Sequence, residues 1–135
     1  MFKLVREIRS RQGELHFKRW SLLWTPWFHI CLHYIAMPDF DEHMHDHPWN
    51  FCSVILAGGY HEVFTDGRTT EWKRRLPFSM AYRKAEWFHK IEKLIAPTYT
   101  LVFMGMRRRE WGYLRDGVWV DNDTYRKEKN DKCQT

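Results

Sequence analysis

The stretch "HMHDHPWNFCSVILAGGYHE", residues 43–62, sets three histidines at alternate positions ahead of a proline, then an apolar run that reaches a double glycine. In an extended chain, residues i and i+2 point to one face with their Cα atoms about 7 Å apart. Two imidazoles at that spacing can lean onto one ion held about 2.0–2.1 Å from each nitrogen. His43, His45 and His47 share this parity, so spacing alone leaves open which pair serves. Pro48 complicates the choice, because proline cannot donate to a central ladder and marks an edge or a bulge. A third ligand has to come from elsewhere in the chain. His89, in "EWFHKIEKL", is the first candidate, while His29 and His33 share a face of their own segment and can line the same cavity. The competing reading is a chance cluster of packed or surface histidines.

Outward from this stretch, the chain reads as short strands separated by turns. "LLWTPWFHICLHYI" (22–35) is aromatic and β-branched, with a break at Pro26, and "AMPDFDEH" is rich in turn residues. Residues 51–56 read as a strand, Gly58-Gly59 as a turn, and "YHEVF" as the next strand. Asp66-Gly67 and Asp116-Gly117 are hairpin dipeptides, the second at the tip of "EWGYLRDGVWV", and "TYTLVFMGM" reads as a buried strand. "SMAYRKAEWFHKIEKL" (79–94) has helical residue preferences. Residues 1–20 carry mixed charge, compatible with a short helix or a strand, and are taken as an N-terminal extension. Residues 126–135 are polar and are expected to fray. Regular short strands with little helix indicate an all-β sandwich or barrel, in one domain covering residues 1–135.

Composition narrows the function classes. A chain of 135 residues is long enough for one real core, and its 17% aromatic content suits a packed β interior. No apolar run approaches the roughly 20 residues of a membrane span, so no membrane partner is expected. The three cysteines, Cys31, Cys52 and Cys133, are scattered and form no framework, which suits a reducing cytoplasm. The net charge of +5 gathers partly in Lys73/Arg74/Arg75 and Arg107/Arg108/Arg109, but acidic residues interleave with these runs. Nucleic acid is therefore not expected as a partner, and a basic accessory protein is the least favoured of three functional readings.

"HDHPWNFCSVILAGG" resembles the first motif of the cupin superfamily, G-x5-H-x-H-x3,4-E-x6-G. His45, His47 and Gly58 fall on its marked positions, while Asp39 stands for the first glycine and Phe51 for the glutamate. Of the second motif, G-x5-P-x-G-x2-H-x3-N, His89 alone remains; Phe78, Lys84, Glu86 and Lys93 occupy the other marked positions. The string HDHPW…GGY.E, with "EWGY" and a Trp-bearing hairpin, is similar to a set of small cupin-like proteins of bacteria and phages, over about Phe28 to Tyr125.

The resemblance implies an all-β, single-domain cupin-type antiparallel jelly-roll barrel, with residues 79–95 as two strands despite their helix propensity. It implies metal ligands His45, His47 and His89, the glutamate ligand being lost at Phe51. Such a site would hold one divalent ion per chain, Fe(II) favoured, with Zn(II), Ni(II) or Mn(II) as alternatives. Three neutral imidazoles leave open coordination positions, the pattern of a catalytic site. His43 shares the ligands' parity and is the candidate acid/base group; His33, Trp49, Phe51 and Tyr82 are expected to line the pocket. Asp46 should point the opposite way and pin the fold, and Glu62 reads as a turn cap. The first functional reading is a metal-dependent, dioxygenase-like enzyme of a small molecule, or else an isomerase; the second is a non-catalytic cupin binding a sugar or nucleotide. A homodimer is implied by resemblance only. Protons should compete for the imidazoles as pH falls through about 6.5.

Overall fold

The computed structural model describes residues 2–39 and 41–133. It is built from nine strands and one terminal helix among these residues: β1 (Lys3–Arg9), β2 (Leu15–Trp24), β3 (His29–Ile35), β4 (Phe51–Thr65), β5 (Thr70–Arg75), β6 (Met80–Arg83), β7 (Phe88–Met104), β8 (Gly112–Arg115), β9 (Val118–Asp121) and α1 (Asn122–Cys133). One sheet runs β1-β2-β3-β7-β4-β5, with β6 also on β4, and β8-β9 form a hairpin. Every pairing is antiparallel. The architecture is an all-β antiparallel jelly roll.

The two long strands organise everything else. β4 and β7 pair along nearly their whole lengths, from Phe51↔Met104 to Thr65↔Phe88. β6 covers the outer edge of the first half of β4 and β5 that of the second half. In the gap between them, the buried Arg75 guanidinium donates to Ser53 Oγ, Tyr60 Oη and the carbonyls of Ser53 and Ser79. Inward-facing side chains form two apolar groups: Cys31, Phe51, Val102 and Met104 with Trp49, and Ile35, Ile55, Tyr60 and Ile91 with Phe17 and Leu94.

Several sequence expectations need correction. Gly58-Gly59 is no turn; it lies inside β4, and the register shifts on both sides of it. Both glycines have positive φ, 90° and 133°, and a Cβ on Gly58 would collide with the Pro97 carbonyl. The pair therefore makes a bulge that lets the strand continue past a close backbone approach. The segments ending at Leu94 and beginning at Thr98 likewise fuse into β7. Residues 1–20, taken as an extension, supply β1 and much of β2, two members of the main sheet. The polar end expected to fray forms α1 as far as Cys133; Gln134 and Thr135 lie outside the described residues. Residues 79–94 do form strand, turn and strand, so tertiary pairing overrides local helix preference. Among the described residues, no helix is long and apolar enough to cross a membrane.

Candidate metal centre

The meeting of the three histidines follows from a short ladder. The backbones of His45 and His89 exchange both hydrogen bonds, His45 N to His89 O at 3.0 Å and His89 N to His45 O at 2.9 Å. Residues opposed in this way put their side chains on one face, about 4.5–5.5 Å apart at Cβ. On its other edge the same segment joins β8: Asp46 N donates to Gly112 O and Leu114 N to Met44 O, with His45 opposite Tyr113. His47, two residues along, shares the face of His45. The ligand atoms of His45, His47 and His89 consequently lie within 4.8 Å of one another. His47 Nε2 and His89 Nε2 are 3.2 Å apart. Two nitrogens bound to one tetrahedral ion at about 2.05 Å would be separated by about 3.3 Å.

The surroundings fix the protons. His89 Nδ1 faces Glu62 Oε2 at 3.0 Å, so with Glu62 ionised it carries the proton and leaves the Nε2 lone pair turned toward His47. Glu62 is 2% exposed, and its other oxygen accepts from Arg83 Nη2 at 2.5 Å. Burial alone would push this carboxyl up; the hydrogen bond and charge of His89, together with Arg83, bring it down to about 2. Arg83 in turn lies 4.0 Å over the Phe64 ring. His45 is lowered to about 4 by burial and by the charge of His89. His47 is lowered well below its ordinary value, again by burial first and then by His89 and His45. Its Nδ1 is sealed without a partner, a cost that coordination at Nε2 would help offset. The residues fit a divalent ion: three imidazoles converge, and one is oriented by a carboxylate.

The other predicted site residues divide. Phe51 walls the cluster, its ring 4.5 Å from that of His47 and 5.9 Å from that of His89. Trp49 packs against the apolar group that contains Phe51. His33 is 9% exposed on the inner face of β3, where its Nε2 accepts from Arg19 Nε at 2.9 Å. Tyr82 does not line the pocket: it is 53% exposed, because it pairs with Cys52, whose side chain alternates with the inward Phe51 and Ser53. His43 stands outside the cluster, with Nδ1 2.9 Å from Tyr125 Oη and Nε2 3.5 Å from Glu42. Asp46 points away as expected. Glu62 was misread as a turn cap because the Gly58-Gly59 bulge resets inward and outward parity along β4. Trp111 and Tyr113, with rings 6.2 and 6.1 Å from that of His45, complete the wall.

No family model matches the chain, and no curated protein matches it in sequence. Solved structures do match in fold. The polyketide cyclase RemF from Streptomyces resistomycificus superposes with a TM-score of 0.59 at 17% identity, over 96% of this chain and 87% of that one. KdgF from Halomonas sp. gives 0.53 at 13% identity, over 76% and 88%. The Fe(II) form of HppE gives 0.60 at 12% identity over 78% of this chain; the chain spans only 56% of HppE. The fold is cupin-like. In this cupin-like barrel the three histidines project inward from the 45–47 segment and from β7.

Two outcomes are expected from the site's electrostatics. Glu62→Gln removes the charge that orients His89 and should weaken metal affinity about 10–100-fold, read by competition with a chromophoric chelator. In the metal-free protein His45 has a depressed folded pKa, about 4 against 6.5 unfolded, so the unfolded state binds more protons between those values. The stability this provides is complete above pH 6.5 and is lost as pH falls toward 4. Glu62, about 2 against 4.5, adds a loss of the same sign below pH 4.5. The urea midpoint should thus be lower at pH 5 than at pH 7, corresponding to a loss of about 2 kcal/mol of unfolding free energy for each imidazole held neutral by burial. An unchanged midpoint over that range refutes buried neutral imidazoles. Burial also moves proton competition at His45 to about 4, lower than the sequence alone suggested.

Proposed function

We propose that this protein is a metal-dependent enzyme acting on a small molecule, with His45, His47 and His89 holding one divalent ion. The supporting observation is the convergence of three imidazoles from two distant segments, with His89 Nδ1 held by the buried Glu62. Three neutral ligands leave open positions where a substrate can bind, whereas structural sites are closed by four. Imidazole suits several metals. Fe(II) is favoured, by analogy with the Fe(II) form of HppE, which shares the fold.

When bound, Fe(II) would supply Lewis acidity and one-electron chemistry with O2. The chain's own contribution is positioning and exclusion of water. Glu62 keeps the proton of His89 on Nδ1, and Arg83 keeps Glu62 ionised. Phe51, Trp111 and Tyr113 surround the rings with apolar surface, which strengthens electrostatic interactions within. The test is oxygen uptake by anaerobically Fe(II)-loaded protein over a panel of small organic acids, alcohols and thiols. Uptake that needs both the metal and one panel member, and that disappears in His89→Ala, supports the reading. Protein that binds a panel member equally well without metal, and never consumes O2 with any of them, points instead to a non-catalytic binding barrel.

A further inference from the structure

The inner wall beside the histidines carries an arrangement that sheets ordinarily avoid. Arg6 of β1 stands directly opposite Arg19 of β2, and Arg19 opposite His33 of β3. Like charges directly opposed across strands destabilise a sheet. A nearby carboxylate would relieve the pair, but among the described residues none does. Glu7, the acidic residue of β1, turns to Arg9 and Lys18, and among the described residues neither Arg6 nor Arg19 makes an ion pair. Arg19 spends only its Nε, on His33 at 2.9 Å. Its two terminal nitrogens have no acceptor among the described residues and are not sealed from solvent.

Their location ties the pair to the metal site. The Arg19 guanidinium lies 6.0 Å from the Trp49 ring and 5.6 Å from the Phe17 ring. Trp49 packs on the group containing Phe51, whose ring in turn touches His47. Arg6 lies within electrostatic reach of Arg126 and of the Tyr113 side chain, and Tyr113 borders His45. Burial, opposed by Cys31 and reinforced by Arg6, pulls the Arg19 guanidinium down to about 10. A positive pair without a counter-charge among the described residues, Arg19 partly buried and Arg6 exposed beside it, offers planar donors that match the fork geometry that binds oxyanions two bonds at a time.

We propose that Arg6 and Arg19 form an oxyanion-binding subsite, seating the carboxylate or phosphate of a small substrate whose other end reaches the three-histidine cluster. This inference rests on the metal-site reading above for what lies at the far end, and on the arginine pair alone for the anion. Arg19 takes the inner position, oriented by His33 and by the Phe17 and Trp49 rings; Arg6 closes the outer side from the edge strand. The anion supplies the charge that the wall lacks, so its binding should stabilise the fold.

The test uses the full chain stripped of metal with EDTA, so that an anion cannot simply ligate the ion. Inorganic phosphate, acetate and neutral acetamide are titrated by calorimetry, with melting temperature as a second readout. At least one anion is expected to bind, weakening as NaCl is raised, while acetamide does not bind. Phosphate and acetate arms tell the two oxyanion sources apart. The double variant Arg6→Gln/Arg19→Gln should weaken binding at least tenfold. Arg6→Gln alone should raise the anion-free melting temperature, because it relieves the like-charge pair while leaving Arg19 in place. Binding of neither anion at tens of millimolar overturns the proposal, as does a folded double variant that binds as tightly as the wild type. Metal content, measured separately on unstripped protein, reports on the histidines, so failure of one reading is distinguishable from failure of the other.

Discussion

His89→Ala should lower affinity for a divalent ion by at least a hundredfold while leaving the barrel folded. The magnitude follows from sharing a binding free energy of roughly 10 kcal/mol or more among a few ligands, about 3 kcal/mol for each. The direction follows from geometry. His89 is the single contribution of β7 to the cluster, and its Nε2 faces His47 Nε2 at 3.2 Å. Its backbone bonds to His45 do not involve the side chain, so the ladder that brings the segments together survives the substitution. His45→Ala and His47→Ala should behave alike, whereas His43→Ala should barely alter affinity, since His43 is engaged with Tyr125 outside the cluster. Isothermal titration with Zn(II) or anaerobic Fe(II) measures all four variants on one scale. A His89→Ala protein that binds as tightly as the wild type would remove that ring from the site.

Asp46→Ala should have the opposite profile, a large loss of stability. Asp46 lies between the two ligand histidines on the opposite face and is 0% exposed. Its carboxylate accepts from Gly112 N at 2.6 Å, from Trp119 Nε1 at 3.0 Å and from Arg109 Nη1. One side chain thus fastens the 45–47 segment to both strands of the β8-β9 hairpin and to the loop before it. Removing it leaves two donors without their acceptor and strips Arg109 of its counter-charge, with only the long contacts to the His47 and Ala85 carbonyls left to it, at a cost of about 3–5 kcal/mol. Against a total of roughly 5–15 kcal/mol, that is enough to unfold a substantial fraction of the protein near its growth temperature. Urea denaturation followed by tryptophan fluorescence gives the number. A loss below about 1 kcal/mol would mean that the hairpin is held by something other than Asp46.

The division between these two residues explains how much of the site was legible. In "HDH" the period of two separates ligand face from anchoring face, and this reading needs nothing beyond strand geometry. His89 stands first among the candidates for a third ligand and the resemblance to cupins singles it out, but no local pattern in "EWFHKIEKL" reveals that it will lie opposite His45. Glu62 was lost to the bulge at Gly58-Gly59, which breaks the alternation that parity arguments require. Tyr82 failed for a related reason: a four-residue strand takes its facing from its partner, and pairing with Cys52 turns it outward. Reading residues 1–20 as an appendage hides Arg6 and Arg19. Their meaning depends on cross-strand register, which mixed charge in a linear sequence does not encode. The fold itself was more legible, since turn dipeptides and aromatic runs mark most strand ends. The exceptions, β4 and β7, run through glycine and proline positions that ordinarily stop a strand.

An anomalous-difference map from crystals of untagged protein, recorded across the absorption edges of iron, nickel and zinc, addresses the central claim most directly. One peak per chain is expected, about 2.0–2.2 Å from a nitrogen of each of His45, His47 and His89, with Glu62 still on the far side of His89. A map without a peak there, or an imidazole at position 89 rotated away from the other two, would contradict the account.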